Sequence, residues 1–358
     1  MPSGDGQSSS ECLIRPIRDD DDLAALTRLI NAAYKKNLDM GFRFVATWQG
    51  PDITAERIAG AHCLIAEVEG KVVGTLTIKR LTDGDEHEWY RSPGTWHLGQ
   101  FAVEPELQKA GVGRALMDAA EALAFREGVN ELSLDTAEGA QHLIDYYQRR
   151  GYRIVGPIDH RPETNYMSVI MSKRIRPILR TERLLIRPFS HAELPRIESF
   201  WNTPNYLETY PPAMWTEEFG RTILRQFADA AEEWPMRKNR WGIEIDGAIQ
   251  GTIRLDWDGE ARSPRGTIGY GIAERHWGKG FATEAVREVL RYGFEELRMH
   301  RIAAWAFANN ARSANVLTKC GFTYEGADRS AVRWGDGWMD DARYGIIEDE
   351  WRAQNAVS

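Results

Sequence analysis

Cysteine is scarce in this chain: Cys12, Cys63 and Cys320 are the only three among 358 residues. An odd number at wide spacing argues against a disulfide framework and against a thiolate zinc site. The eight histidines show no HExxH or other ligand spacing, so no metal is expected. Long apolar runs are also missing, and nothing approaches a membrane span. Basic residues are outnumbered, giving a formal net charge of −8. A nucleic-acid binder would carry a basic face, so none is expected as partner. The same charge is compatible with a cationic acceptor such as an amine. The start, MPSGDGQSSS, has neither the basic n-region nor the apolar h-region of a signal peptide. It reads as a flexible tail over residues 1–10, and a cytoplasmic location is expected. Two phosphate-binding signatures are absent as well. There is no G-x-x-x-x-G-K-[ST], because Ala273 stands where the first glycine is needed and Gly280 follows Lys279, and there is no G-x-G-x-x-G.

What remains is an ordinary globular composition, 42% hydrophobic and 27% charged, in a chain long enough for two domains. The chain repeats itself. Ile14-Arg15-Pro16 recurs as Ile186-Arg187-Pro188, and Glu69 to Leu76 as Asp246 to Ile253. Gln108 to Gly113 recurs as Arg275 to Gly280, and Arg150-Gly151-Tyr152 as Cys320-Gly321-Phe322. So long a period means a duplicated domain and not a solenoid. The expected boundaries are 11–174 for the first domain, 175–180 for a linker broken by Pro177, and 181–358 for the second.

The first copy opens with an extended LIRPIR segment. An acidic first turn, Asp19 to Asp22, then starts a helix carrying Leu23, Leu26, Leu29 and Ile30. Cys63 to Val68 and Val72 to Lys79 alternate around Glu69-Gly70, the mark of a tight hairpin. A central strand follows at Thr95 to Val103, a helix at Gly113 to Phe125 and a strand at Glu131 to Asp135. A helix at Gln141 to Arg149 and a closing strand near Tyr166 to Met171 complete the copy. Antiparallel strands followed by a β-α-β-α-β section predict α/β architecture with a mixed central sheet flanked by helices. The second copy has the same plan with a longer helical section, Ala192 to Glu233. That section holds Trp201, Tyr206, Tyr210, Trp215, Phe219 and Trp234, aromatics that serve either as core or as ligand contacts. The segment Tyr206 to Trp215, broken by Pro211-Pro212, is the expected acceptor pocket.

The most informative stretch is Thr267 to Val286, TIGYGIAERHWGKGFATEAV. An apolar run ends at a polar turn with Gly278 and Gly280, and an amphipathic helix follows. Its apolar positions are Ala282, Ala285, Val286, Val289, Leu290, Phe294 and Leu297. Glycines allow close approach of the main chain, and the first-turn N–H groups of a helix have no internal partners, so the device suits a pyrophosphate. Arg275-His276-Trp277-Gly278-Lys279-Gly280 resembles the Q/R-x-x-G-x-G/A loop of the GNAT N-acetyltransferase superfamily. With HRIAAW, NNARSANVLTKCGF and EGADR following in order, the second half resembles the RimJ/RimL type. The first half, with QFAVEPELQKAGVGRALM, is similar to the superfamily over nearly its whole length.

The resemblance implies two tandem GNAT-like domains that use acetyl-CoA as cosubstrate, without a metal. It implies cofactor contacts from Phe101, Val103, Gln108, Lys109, Ala110, Gly111, Val112, Gly113 and Arg114 in the first copy. In the second they come from Ile272, Arg275, His276, Trp277, Gly278, Lys279, Gly280, Phe281 and Ala282, with Asn310 on the cofactor arm. Many members place a tyrosine, the acid that protonates the departing thiolate, four residues before a closing Gly-aromatic pair. Tyr147 stands there in the first copy and Leu317 in the second, where Ser313 becomes the catalytic candidate. Tyr147 could instead be a packing residue beside Tyr146, and Ser313 a helix N-cap. Asp256 and Asp258 are the candidates for a base, with solvated loop carboxylates as the plain alternative. The expected activity is transfer of acetyl to a primary amine of a small molecule or peptide terminus. Arginine outnumbers lysine, which fits a GC-rich genome, and antibiotic modification or self-resistance is one role compatible with it. The alternative is an acyl-CoA-binding sensor or scaffold with one or both halves non-catalytic. The second half is the expected centre of catalysis, and the first a second site or a cofactor-binding relic.

A fused duplication satisfies within one chain the contact that single-domain relatives make as dimers. A pseudo-dimeric monomer is expected: light scattering should give the mass of one chain, and twice that mass refutes it.

Overall fold

The computed structural model describes residues 12–81, 87–197, 203–211, 216–234, 238–257 and 264–356. The expectations placed on residues 1–10, Trp201, Pro212, Trp215 and Asp258 lie outside these. The chain divides into two compact units, with the boundary between Arg176 and Pro177. Ile175 donates its N–H to the Asn130 carbonyl of the first unit, and Leu179–Arg180 is already a strand of the second.

Unit 1 runs β1 (Cys12–Pro16), α1 (Leu23–Asp39), α2 (Pro51–Ile58), β2 (His62–Val68), β3 (Lys71–Lys79), α3 (Glu88–Arg91), β4 (Thr95–Val103), α4 (Val112–Arg126), β5 (Glu131–Ala137), α5 (Gln141–Arg149), β6 (Arg153–Asp159) and β7 (Met167–Arg174). Its seven strands lie in the order β1-β2-β3-β4-β5-β7-β6. Unit 2 runs β8 (Leu179–Arg180), β9 (Leu185–Arg187), α6 (Leu194–Ile197), α7 (Pro204–Leu207), α8 (Glu217–Ala230), β10 (Lys238–Ile245), β11 (Ala248–Trp257), β12 (Arg265–Ile272), α9 (Phe281–Arg291), β13 (Arg301–Phe307), α10 (Ala311–Lys319), β14 (Thr323–Trp334), β15 (Gly337–Ile347) and α11 (Glu348–Asn355). Among the described residues its eight strands are ordered β14-β15-β13-β12-β11-β10-β9-β8. Every neighbouring pair is antiparallel except β4–β5 and β12–β13. Each unit is therefore a mixed sheet flanked by helices.

Local chemistry explains the frame. Glu69 and Gly70 (φ 51° and 76°) turn the β2–β3 hairpin, and Asp246 and Gly247 (52° and 78°) turn β10–β11. Two successive positive φ values define the hairpin turn that an Asp/Glu-Gly pair accepts. The recurring Ile-Arg-Pro has a structural cause. Arg15 binds Glu67 (2.8 Å) and Asp21 (2.7 Å), and Arg187 binds Glu244 (2.8 Å) and Glu193 (2.7 Å). In both units this arginine ties the first long strand to the hairpin and to the start of the following helical segment.

Several expectations need correction. The acidic run is not the first turn of α1: Asp22 is its N-cap, accepting from the Ala24 and Ala25 N–H groups, and Asp21 serves Arg15. The buried face of α4 carries Leu116, Met117, Ala120 and Ala124, all fully buried. Strand β6 was not anticipated. Its Gly156-Pro157 reads as a loop, but β6 is an edge strand, where a proline costs no ladder bond. Among the described residues, the helical section of unit 2 holds α6, α7 and the longer α8, and α9 ends in a π-helical turn, Tyr292–Glu296.

A buried ion cluster fixes α5 against α4. Glu121 of α4, nearly inaccessible, accepts from Arg150 (3.1 Å) and from Lys173 of β7 (2.8 Å). Removing one partner of a buried pair leaves the others uncompensated. Glu121→Ala should therefore destabilise unit 1 by about 3–5 kcal/mol, read as a lowered denaturation midpoint of one of two transitions. A change under 1 kcal/mol refutes the cluster's role.

Candidate active sites

The parallel pair β4–β5 is only three residues long: Thr95, Trp96 and His97 face Glu131, Leu132 and Ser133. In unit 2, Arg265, Gly266 and Thr267 face Arg301, Ile302 and Ala303. Beyond these residues the two strands have no ladder partner in each other, although each continues and pairs on its outer side. The result is a notch in the middle of each sheet, edged with backbone N–H and C=O groups that a ligand amide can satisfy.

A helix starts at the mouth of each notch. Gly111 (φ 95°) is the N-cap of α4 and Gly280 (φ 84°) the N-cap of α9, and neither helix start is closed by a side chain. The free first-turn N–H groups face outward with the positive end of the helix dipole. Around the second loop stand Arg275, His276 and Lys279. Burial and the Lys279 and Arg275 charges push His276 below the usual imidazole range. An anion is what such a place accepts.

The geometry corrects the register of the duplicated loop by two residues. Gln108 donates to the Val103 carbonyl at the end of β4, and the Trp277 indole donates to the Ile272 carbonyl at the end of β12 (2.7 Å). Gln108 therefore matches Trp277, Gly111 matches Gly280, and Gly113 matches Ala282. The apparent match of Gln108 with Arg275 is a coincidence of two overlapping glycine patterns. Arg275 turns back to Gln250. Lys109 (φ 72°) takes the left-handed place that Gly278 (φ 75°) holds in unit 2. Gly113 lies close to β4 instead: a Cβ there would stand 3.2 Å from the Phe101 ring, a tight contact that the ring relieves by a small shift.

Arg183, which the sequence reading missed, braces the second loop. It pairs with Glu284 of α9, donates to the Lys279 carbonyl (3.2 Å) and lies 4.5 Å from the Phe281 ring centroid. Thr181 donates to the same Glu284. Phe281 also meets His276 edge-on. On the other side of the loop, Tyr206 stacks on Tyr210 and tilts against Trp277, and Arg312 sits 4.7 Å from the Trp277 centroid. The Tyr206 hydroxyl lies over Gly271, where a Cβ would strike it. The aromatic segment thus covers the notch of unit 2.

Asn310, not Ser313, is the N-cap of α10: its Oδ1 accepts from the Ser313 N–H at 3.0 Å, which leaves its amide nitrogen for a ligand. Ser313 Oγ lies 3.0 Å from the hydroxyl of Tyr270, which donates to the Ser313 carbonyl at 3.1 Å. Tyr270 belongs to β12 and was not anticipated. Burial raises its phenol above the ordinary range despite the Ser313 bond. Asp256 is held by Arg254 and Arg240 and is not a free base. In unit 1, Tyr147 is buried between Tyr146 and Tyr152, and burial keeps its phenol protonated well above the usual range. Phe101 stacks on Tyr146. Ala110, Val112 and Arg114 complete the first loop around the helix start. Among the described residues no group of three or more His, Cys, Asp or Glu is arranged to hold a metal, and no helix is long and apolar enough to cross a membrane.

A notched mixed sheet with an uncapped, glycine-led helix beside the notch suits the amides and phosphates of an acyl-CoA and so fits the class of acyl-CoA-dependent acyltransferases. Comparison with known proteins agrees with this class. The Acetyltransferase (GNAT) family matches residues 23–152, and the Acetyltransferase (GNAT) domain matches residues 183–323. The chain is 30% identical over 172 residues to the N-acetyltransferase YnaD of Bacillus subtilis, covering 48% of this chain and 97% of that one. It is 31% identical over 175 residues to YoaA of the same organism, with the same coverage. It is 29% identical over 160 residues to the S-(2-succino)cysteine N-acetyltransferase of B. subtilis, covering 43% and 92%. The chain belongs to the GNAT superfamily of N-acetyltransferases, with two such domains in tandem. Members of this family use acetyl-CoA and act on amine acceptors.

The register has a direct test. Gly280→Val forces a β-branched residue into a left-handed backbone, a strain of about 1–3 kcal/mol, and should remove acetyl-CoA binding at unit 2. Gly113→Ala, which only mimics Ala282, should weaken unit 1 less than tenfold. Calorimetric titration of acetyl-CoA decides: an unaffected Gly280→Val chain rules the assignment out.

Proposed function

We propose that the chain moves acetyl from acetyl-CoA to a primary amine of a small molecule or a peptide terminus, and that both units hold the cosubstrate. The observation that carries this reading is the same composite in each unit: a left-handed glycine, an uncapped helix start and a parallel strand pair that stops after three residues. The loops Lys109–Arg114 and Gly278–Ala282 are suited to the pyrophosphate, and the edges of β4 and β12, at Phe101, Val103 and Ile272, to the amide-bearing arm. Asn310 contributes its amide nitrogen. Acetyl-CoA supplies an activated acetyl group as a thioester; the chain's own groups position it and move protons. In unit 2 the Ser313–Tyr270 hydroxyl pair is the proton donor, and in unit 1 it is Tyr147. A small-molecule acceptor is supported by the similarity to an S-(2-succino)cysteine N-acetyltransferase.

Thiol release measured across a panel of amines tests the activity. In a chain whose first loop is closed by Gly111→Val, Ser313→Ala combined with Tyr270→Phe should lower kcat at least tenfold, about 1.4 kcal/mol in the barrier, with acetyl-CoA binding retained. Equal turnover removes the hydroxyl pair from the mechanism.

A further inference from the structure

Unit 1 carries a cluster that neither its loop nor Tyr147 accounts for. Asp135 of β5 stands beside the notch and bridges two imidazoles. His97 Nε2 of β4 lies 3.3 Å from Oδ1, and His160 Nε2, in the turn after β6, lies 3.3 Å from Oδ2. The Tyr90 hydroxyl of α3 donates to Oδ1 at 3.2 Å. Burial opposes the charge on Asp135, but hydrogen bonds from His160 and His97 outweigh it and hold the carboxyl far below the usual range. An ionised carboxylate accepting from Nε2–H fixes the neutral tautomer of His97 and leaves the Nδ1 lone pair free.

The Nδ1 edge is aimed at the notch. His97 is the last residue of β4 that pairs with β5. Two residues on, a Cβ at Gly99 would lie 3.3 Å from His97 Cε1 and 3.5 Å from Nδ1, so glycine keeps that edge open. Other ionisable groups face the cluster. They are Tyr34 of α1 and Tyr166 before β7, both within electrostatic reach of Asp135, Tyr147 of α5, and Arg57 of α2, which acts on Tyr34 and Tyr166. Two hydrogen bonds tie the segment after α1 to the turn before β7. The Arg43 N–H donates to Asn165 Oδ1 (2.8 Å), and Asn165 Nδ2 donates to the Gly41 carbonyl (2.8 Å). Among the described residues of unit 2 the counterparts differ: following the strand registers, Thr267 stands for His97 and Trp305 for Asp135.

We infer that unit 1 is a second, independent acetyl-transfer site in which His97, positioned by Asp135, is the general base. The inference rests on the reading of both loops as acetyl-CoA sites. The acceptor ammonium gives one proton to His97 Nδ1, and its nitrogen forms the new bond to the acetyl carbon as the carbon–sulfur bond breaks. The thiolate takes the Tyr147 proton, and Tyr147 recovers one from the new amide nitrogen. The proton on His97 leaves to water. Base and acid thus meet across one notch, from β4 and α5.

The test uses the full chain with Gly280→Val, so that only unit 1 can turn over, and putrescine, tyramine and glycinamide as probe acceptors. Thiol release should persist with at least one of them, and kcat/KM should carry an acid limb. His97→Gln should lower kcat about a hundredfold, the lower end of what a general base contributes, and erase that limb without changing acetyl-CoA binding. Asp135→Asn should keep part of the rate and move the limb. A readout independent of turnover is the nitrogen-15 spectrum of the histidine side chains. His97 should appear as the Nε2–H tautomer at neutral pH, and lose that preference in Asp135→Asn. An Nδ1–H tautomer, or an acid limb unchanged in His97→Gln, overturns the inference. So does a Gly280→Val chain that binds acetyl-CoA without releasing thiol while Gly111→Val stays active. Loss of turnover in every chain, with acetyl-CoA still bound, would instead fail the proposed function as a whole.

Discussion

The structure depends on the interruption of one parallel strand pair in each unit. In a sheet that is otherwise antiparallel, β4–β5 and β12–β13 are the only neighbours that run the same way among the described residues. A parallel connection needs a crossover, here α4 and α9, and the crossover helix must begin where the strand ends. That places a helix N-terminus, with its unmatched N–H groups, beside backbone edges released by the interruption. Phosphate affinity and amide affinity are thus neighbours by topology, before any side chain is chosen. The net charge of −8 does not work against this. An anion at a helix start responds to groups within a Debye length of about 8–10 Å, where Arg275, Lys279 and the helix dipole stand.

What the two units share is mechanical. The arginine of Ile-Arg-Pro, the two-residue hairpin turn and the Gly-aromatic closure recur with the same partners. Tyr152 N–H returns to the Tyr147 carbonyl, and Phe322 N–H to that of Leu317. What they do not share is chemistry at the notch. The Val103 carbonyl is held by an amide side chain and the Ile272 carbonyl by an indole. The helix after the notch is uncapped by side chains in α5 and capped by Asn310 in α10. The frame tolerates such exchange because backbone geometry, not side-chain identity, builds the notch and the helix start beside it.

Much of this was legible in the sequence because it rests on local periodicity. The central strand Thr95–Val103, the helix Gln141–Arg149 and both hairpins follow from alternation, turn residues and apolar spacing. The loop register was not legible. Trp277 to Ala282 contains two glycines, and a pattern cannot tell which one precedes the helix until the hydrogen bond to Ile272 is seen. Tyr270 was missed because an aromatic residue in a strand reads as core. His97 and Asp135 are 38 residues apart, and only the pairing of β4 with β5 brings them together.

The acid–base sets of the two notches have unequal demands to meet. Only an unprotonated amine can attack a thioester. At pH 7 that state costs about 4.6 kcal/mol for a lysine-like amine and about 1 for an α-amine. In unit 1 the His97 imidazole is held by Asp135 beside the notch, and the benefit of a base there grows with acceptor basicity. In unit 2, Thr267 and Trp305 stand at the matching positions. One fold, duplicated, therefore need not mean one acceptor twice. His97 and Asp135 border the notch of unit 1, and Tyr206 and Tyr210 cover that of unit 2.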